Sequence, residues 1–578
     1  MHLRNRLARL FRGALPVWYH PDYRIPLASF EARTSAEPRR ADFVAWYLVE
    51  VGLLRKEDLR VPKVAQLDDM ARVHTPALMS TLDDPAVLAR IFGTDAAEVP
   101  VDALNRTIRL AVGGTIEAAR VALHEKRATL NLLGGFHHAA PEKAGGACPV
   151  NDMAIAVGVL REEGFSGRVS VIDLDAHPPD GTAACFAGDP KVWIGSISGS
   201  NWGDLPGVDE TVLAPGSGDA AYHAALDAML SRRPPSELVF VLAGGDVLAN
   251  DRMGQLGLTL EGALERDRRV YEHLGSTPSV WVPGGGYHPA AWRLFAATAV
   301  LVATGHSEVV PALDPLRARF AGIAANLDPS RLNAEEEWFS PEEVDALFGA
   351  SRGAHRLLGH YTASGVEYGL FAYGILGQIE RLGYTHFRVS VDQGSLGDRM
   401  RVYGECGGVE HMLIESVITR DRVGDKQVLF VHWLNLRNPR ATFSDRRPRL
   451  RGQDVPGLGL AREAGEMLAR IAARVGLDGV AFRPMFIHSA WTARYDFRFV
   501  DPVREGQFEA LVRDLRGTPL PAIDAALGEG RMTCNGEVWR WEPDLMVAWL
   551  HPGPPDPRVA AVREGSHFRI VEGPAILG

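Results

Sequence analysis

The residues best suited to chemistry lie in the run from Arg168 to Gly181, which reads RVSVIDLDAHPPDG. Its first half is a short β-branched stretch after a Gly-containing turn, and this predicts a buried strand of a parallel sheet. Side chains alternate along a strand, so Asp173 and Asp175 point the same way and His177 follows where the strand gives out. Two carboxylates and an imidazole converging there resist burial unless a cation or hydrogen-bond partners compensate them, and a divalent metal is the simplest solution. The plainer reading, an Asp-rich loop capping the next helix, suits Asp180 but not the Asp-Leu-Asp-Ala-His spacing.

Such a strand end needs neighbours. From Val17 to about Gly305, apolar strand-like runs alternate with helix-like segments such as Gly114 to Leu123, the signature of an α/β fold with a mainly parallel sheet. The run Ala128 to Leu133 ends in Gly134-Gly135-Phe136-His137-His138, Leu238 to Ala243 ends in Gly244-Gly245-Asp246, and Ser279 to Pro283 ends in Gly284-Gly285-Gly286-Tyr287. In open parallel sheets the ligand crevice lies outside the C-terminal strand ends, so four independent segments point at one site. Each has a plain alternative: polar loop residues for the His pair, a tight turn for the glycines, a helix cap for Asp246. All four aligned by accident would be a coincidence.

The motifs Tyr19-His20-Pro21-Asp22-Tyr23, GGFHHA, GACPVND, VIDLDAHPPDGT, AGGDVLANDRMG and GGGYHP follow one another in this order. Together, over roughly residues 17–305, they resemble the zinc-dependent histone deacetylases and acetylpolyamine amidohydrolases, nearest the class IV type and its bacterial relatives. The resemblance implies an arginase-deacetylase fold and removal of acyl groups from acyl-lysine side chains or acylpolyamines by metal-activated water. It implies Asp175, His177 and Asp246 as ligands of zinc, with Fe(II) or another divalent ion as the alternative. His137 and His138 become the tandem histidines held by Asp173 and Asp180, with His138 as base and later acid and His137 as electrostatic support or alternative acid. Tyr287 becomes the hydroxyl that polarises the substrate carbonyl. The chemistry agrees: three protein ligands leave zinc an open position, and two carboxylates with a neutral imidazole balance its charge.

An arginase-type aminohydrolase shares the fold, but here the acid follows His177 only at Asp180, and no Asp-x-Asp follows Asp246 to hold a second metal. Ser196 and Ile197 match a monovalent-cation site beside Asp173, Asp175 and His177, although a serine that merely ends a strand reads equally well. The rim departs from the family. Pro178-Pro179 stiffens the turn beneath the metal, and Ala147 stands where a tunnel-lining Phe is common, with Gly146 and Gly285 beside the same tunnel. Pro149 and Ser198 likewise replace the usual residues. Reaction type is therefore better defined than substrate.

At 578 residues the chain predicts about two to four domains. With 46% hydrophobic and 23% charged residues and a formal net charge of -10, it shows no general attraction to nucleic acid. Cys148, Cys185, Cys406 and Cys534 lack CxxC spacing, which argues against a disulfide framework or cysteine zinc site and suits a reducing compartment. The basic, amphipathic segment 1–16 lacks a signal-peptide core, and no stretch reads as a bilayer span, so a cytoplasmic location is the default.

Beyond a linking segment at 306–357, with a helix start at Ser340-Pro341-Glu342-Glu343, a second α/β or α+β domain is expected over 358–578. Val428 to Val431 reads as a strand, Leu460 to Val475 as a helix, Gly479 to Pro484 as a strand, and Ala490 to Val500 as a short helix running into another. The turn Gln453 to Gly459 opens the first helix, and a glycine-rich turn there offers backbone N–H groups to a phosphate. This order resembles the acyl-CoA-binding half of the Gcn5-related N-acetyltransferases over about residues 365–515. It implies Gly457 and Gly459 as a CoA or acyl-CoA contact, although Asp454 and Gln453 depart from the family's signature and Tyr495 is not assigned as an acid. The six arginines between Arg437 and Arg451 suit a pyrophosphate or a solvated basic loop. A second function class follows from this half: a regulatory or acyl-CoA-binding protein whose deacetylase-like domain serves the C-terminal one. Retention of His137, His138, Asp173, Asp175, His177, Asp180, Asp246 and Tyr287 favours the enzyme.

Overall fold

The computed structural model describes residues 13–27, 34–333, 355–444 and 448–571, together with Asn5, Arg9, Leu10 and Phe30. Most of segment 1–16 that sequence marks as basic, and the helix start at Ser340, lie outside the described residues. The chain divides into two compact units, Met1–Leu313 and Asp314–Gly578.

The first unit is built on eight strands: β1 Val17–Trp18, β2 Leu59–Arg60, β3 Ala128–Asn131, β4 Val169–Asp173, β5 Val192–Ser198, β6 Val208–Val212, β7 Leu238–Leu242 and β8 Ser279–Val282. They lie in the order β2-β1-β3-β8-β7-β4-β5-β6, and every pairing is parallel. The expected α/β fold with a parallel sheet is therefore present. Strands β4 and β7 are buried along their whole length, as a sheet covered on both faces demands, and this is why their sequences are apolar runs without alternation.

Helices α1 Arg40–Glu50, α2 Pro85–Phe92, α3 Val101–Glu125, α4 Asp152–Glu162, α5 Asp180–Cys185, α6 Asp219–Arg232, α7 Leu260–Leu274 and α8 Ala291–Thr304 accompany the sheet. Helix α3 has to carry Gly113 and Gly114 in its middle. A Cβ at Gly113 would lie 1.8 Å from the Lys63 carbonyl oxygen, and one at Gly114 would lie 2.4 Å from the Tyr23 hydroxyl. The helix propensity lost there is the cost of close approach.

The four strands whose ends carry the candidate residues, β3, β8, β7 and β4, are consecutive neighbours in the sheet. Adjacent strands lie about 4.8 Å apart, so side chains from all four ends converge within a single crevice.

The second unit holds a seven-stranded mixed sheet. Strands β9 Thr385–Gly394, β10 Gly397–Cys406, β11 Val409–Val423 and β12 Lys426–Leu436 form an antiparallel meander. Helix α9, Ala461–Arg474, crosses over to β13 Gly479–Phe482, which runs parallel to β12. The segment expected to be helical from Ala490 to Val500 leaves the helix at Ala493. Arg498–Phe499 is instead strand β14, paired with β15, Met546–Trp549. Burial of Phe499 against Phe508 and Trp541, a contact no local pattern displays, overrides the helical reading.

Candidate active site

The loop after β3 is shaped by a carboxylate that sequence reading did not single out. Asp152, fully buried at the start of α4, accepts hydrogen bonds from the backbone N–H groups of Gly135 and Phe136 at 3.0 and 2.8 Å and from the Thr115 hydroxyl at 2.7 Å. It thereby fixes the turn that presents His137 and His138. His137 Nδ1 lies 2.9 Å from Asp173 Oδ2, and His138 Nδ1 lies 2.7 Å from Asp180 Oδ1. The pairing of each histidine with its acid follows the expectation from sequence.

Burial alone would lower the His137 imidazole, but the Asp173 and Asp175 charges override it and hold it up at about 9. His138 goes the other way: burial and the neighbouring His137 charge push it down. The two rings, 4.0 Å apart between centroids, are thus set to opposite protonation states at neutral pH.

Asp175, His177 and Asp246 bring one ligand atom each to within 4.8 Å of one another. The two carboxylates are each oriented by a backbone N–H. Asp175 Oδ2 accepts from Gly285 N–H at 2.7 Å, and Asp246 Oδ1 accepts from Ala176 N–H at 3.0 Å. His177 Nδ1 is 2.9 Å from both Asp175 Oδ1 and Asp246 Oδ2. It hydrogen-bonds only the first, so Asp246 Oδ2 stays buried without a hydrogen-bond partner. Burial and the Asp175 charge push the Asp246 carboxyl up. Burial would raise Asp175 too, but the His137 and His177 charges hold it down. An orphaned buried carboxylate oxygen facing a second carboxylate and an imidazole nitrogen is what a divalent ion would satisfy, and the O, N, O donor set fits zinc with a position to spare. Gly285 belongs to this cradle, because a Cβ there would lie 2.7 Å from Asp175 Oδ2 and 2.8 Å from Asp246 Oδ2.

Gly146, Ala147, His137, His138, Asp175, His177, Gly285 and Tyr287 line one cavity of about 410 Å³. Ala147 sits at φ 59° and donates its N–H to Ile91 O at 3.0 Å, which brings the end of α2 to the cavity wall. Tyr287 takes its position from the Asp251 carboxylate, which accepts its backbone N–H at 2.7 Å. Burial, then the Asp175 and Asp246 charges, push the Tyr287 phenol upward, so it stays a hydrogen-bond donor.

Two more residues in this cavity went unread. Arg40, at the start of α1, donates to Gly284 O at 2.8 Å, and burial lowers its guanidinium from the ordinary value. Trp202 stacks on His138 with ring centroids 5.2 Å apart and an interplanar angle of 27°, while half of it remains exposed. Trp202 follows the C-terminal end of β5, so the strand-end rule would have reached it; Arg40 carries no such local signal.

Gly457 and Gly459 lie in the second unit, between β12 and α9. Gly459 has φ 73° and Leu458 is buried. Asp454, at the position where the acyltransferase signature differs, is held by Arg437 at 2.9 Å. The four cysteines are all free, and among the described residues no helix is long and apolar enough to cross a membrane.

Comparison with known proteins bears on this geometry. The histone deacetylase domain profile matches residues 34–303. An uncharacterized protein of Picosynechococcus sp. is 33% identical over 282 residues, covering 47% of this chain and 92% of that protein. Histone deacetylase 8 of Xenopus laevis is 30% identical, over 43% of this chain and 84% of its own length. A probable deacetylase of Archaeoglobus fulgidus is also 30% identical, over 41% of this chain and 72% of its own length. The crystal structure of a histone deacetylase homologue from Aquifex aeolicus superposes with a TM-score of 0.43 at 22% identity, over 52% of this chain and 86% of that one. With the tandem histidines, the Asp-His-Asp cluster and the strand-end tyrosine converging in one cavity, and with the Xenopus laevis and Archaeoglobus fulgidus proteins each 30% identical over most of their own length, the chain belongs to the histone deacetylase family.

Proposed function

We propose that the first unit is a metal-dependent deacylase acting on acyl-lysine side chains. The observation that carries this reading is the Asp175-His177-Asp246 cluster, whose buried Asp246 Oδ2 makes no hydrogen bond although it faces His177 Nδ1 at 2.9 Å, opening on the cavity that also holds His138 and Tyr287. A divalent ion held there, zinc being the best fit to the donors, would supply Lewis acidity toward water and the amide carbonyl. His138, neutral because burial and His137 lower it, takes the proton from the attacking water; with Nδ1 committed to Asp180, its Nε2 is the nitrogen that receives it. The Tyr287 hydroxyl donates to the oxygen on which negative charge develops. His138 then returns its proton to the departing lysine amine. His137, kept cationic by Asp173, steadies the charge that builds beside it.

The lysine reading is favoured over the polyamine one by the charges of the cavity wall. Besides the ligand Asp175, its one described acid is Glu37, already engaged by Arg39 at 2.6 Å, while Arg40 and Arg90 are cationic. A polyamine would bring protonated amines into this wall with no free carboxylate to receive them. A monovalent cation belongs to the same proposal, supported by Ser196: its Oγ is buried without a partner, in register with Asp173. The direct test is release of free acid from an acyl-lysine peptide and from an acylpolyamine by metal-loaded protein. Hydrolysis of the polyamine alone would reverse the substrate assignment, and hydrolysis of neither would end the enzymatic one.

A second reading concerns the other unit. Pairing of β12 with β13 stops at Val431–Phe482 while β12 continues to Leu436, so the two parallel strands part there, and α9 starts without a side-chain cap. A glycine-rich turn opening that helix supports binding of a CoA or acyl-CoA phosphate near Gly457 and Gly459, as in an acetyltransferase-like domain. Calorimetric titration with CoA and acetyl-CoA tests it, and no heat at millimolar ligand would dismiss it.

A further inference from the structure

Arg266, on α7, has no exposure at all, and a charge this deep needs an explanation. Its Nε donates to Asp267 Oδ1 at 2.8 Å, and Asp267 is held in turn by the Thr298 hydroxyl at 2.5 Å. Burial would lower the guanidinium, but the Asp267 charge more than offsets it, with Tyr222 beside it, so Arg266 stays cationic. Its Nη1 donates to two backbone carbonyls, Leu174 O at 3.0 Å and Gly244 O at 2.8 Å.

Those two carbonyls are the significant partners. Leu174 immediately precedes Asp175, and Gly244 stands two residues before Asp246, so one nitrogen joins the ends of β4 and β7 where they deliver two of the three cluster residues. The two strand ends touch at this level, since a Cβ on Gly244 would lie 2.7 Å from Asp175 Cα and 2.9 Å from Asp246 Oδ1. The ladder closes here: past the last register pair, Asp173 and Leu242, the one further bond between the two strands is from Leu174 N–H to Leu242 O at 3.0 Å, and it leaves the Leu174 carbonyl outside the ladder. Two carbonyl oxygens turned toward each other beyond the ladder would repel and would lack donors in a dry interior. Arg266 supplies the donor and a positive charge beneath two carboxylates that must sit close together. The half-buried Arg269 on the same helix, paired with Glu265 and Asp227, has no such contact.

We propose that Arg266 is a positioning residue for the metal centre, setting the separation of Asp175 and Asp246 by clamping the backbone in front of each. This rests on the reading that Asp175, His177 and Asp246 hold a divalent ion. Residues that orient metal ligands typically change metal affinity by about ten- to a hundredfold when removed, and that is the effect expected here.

The test is cobalt(II) and zinc(II) binding to metal-stripped full chain, read by Kd and by the visible absorption of bound cobalt, beside far-UV circular dichroism and the unfolding midpoint. Replacing Arg266 alone would leave Asp267 buried and unpaired, so the informative variant is Arg266→Met with Asp267→Asn, which removes both charges. The expected result is a Kd weaker by about ten- to a hundredfold and a changed cobalt spectrum in folded protein. Arg266→Lys keeps the charge but loses the fork, and it should fall between the wild type and the double variant. Arg269→Met should match the wild type. A lowered unfolding midpoint with unchanged Kd and spectrum would make Arg266 only structural and overturn the proposal. If the double variant does not fold, Arg266→Lys decides in the same way, with wild-type Kd and spectrum overturning it. No metal binding by the wild type would refute the metal reading itself, a result distinct from the failure of Arg266 alone.

Discussion

His138 Nδ1 stands 2.7 Å from Asp180 Oδ1, and the Asp180 side chain is 45% exposed, whereas Asp173, which serves His137, has no exposure. The same imidazole–carboxylate pair is thus built twice under different solvation. Against its burial, His137 is kept cationic up to about 9 by the Asp173 and Asp175 charges, whereas burial and the His137 charge hold His138 below its ordinary value despite Asp180. A base and a fixed cation result from two adjacent residues of one type.

Asp180→Asn should separate these roles. Losing the carboxylate removes an influence that raises the His138 imidazole, so the acid limb of the kcat/KM profile should move to lower pH by about one unit. Turnover at neutral pH should fall because the imidazolium needed by the leaving amine is harder to form. A pH–rate profile measured with saturating metal checks both, and an unmoved acid limb would mean that His138 is not the group that titrates.

Tyr287→Phe should retain metal and lose about two or more orders of magnitude in kcat, the usual consequence of removing one oxyanion donor. Asp246→Ala should instead lose the metal. Metal content and turnover, measured together on the two variants, distinguish a donor from a ligand.

Metal binding should release protons, and affinity should rise with pH. In the free protein the Asp175 and Asp246 contacts outweigh burial and hold the His177 imidazole up at about 11, and Asp246 is also raised, whereas bound ligands must be deprotonated. Above neutrality one proton from His177 should leave for each ion bound, and affinity should gain about tenfold per pH unit until that titration is complete. The sign reverses for the metal-free fold. The raised His177 stabilises it fully below its ordinary value of 6.5, and that contribution is lost as pH rises through about 11. Calorimetry in buffers of different ionisation enthalpy counts the protons directly.

Ala147 should widen acyl specificity. It lines the cavity together with Ile91 and Phe92 where an aromatic side chain would narrow it. Each additional buried methylene contributes about 0.8 kcal/mol, so an acyl chain four carbons longer than acetyl gains about 3 kcal/mol, on the order of a hundredfold in kcat/KM if the space is filled. One peptide carrying acetyl, butyryl, hexanoyl and octanoyl lysine measures this, with Ala147→Phe expected to shift preference back toward acetyl. A steady fall from acetyl in both proteins would show that Ala147 does not shape the tunnel.

What the sequence determined by itself is local. Alternation along a strand puts Asp173 and Asp175 on one side whatever surrounds them, and a glycine-rich break after an apolar run marks where His137, Asp246 and Tyr287 leave the sheet. These properties depend on residues a few positions apart, so they are written in spacing. The tertiary structure decided which strand ends are neighbours. His137 meets an acid 36 residues away and His138 one 42 residues away. Arg266 reaches Leu174 across 92 residues, and Arg40 reaches Gly284 across 244. None of these partners has a periodic relation to the residue it serves. The same reason explains the helix expected at Ala490 to Val500: its pattern is helical, but Phe499 is buried as a strand beside β15. Burial and strand order are properties of the whole packed chain, and a packed interior is where such distant choices are settled.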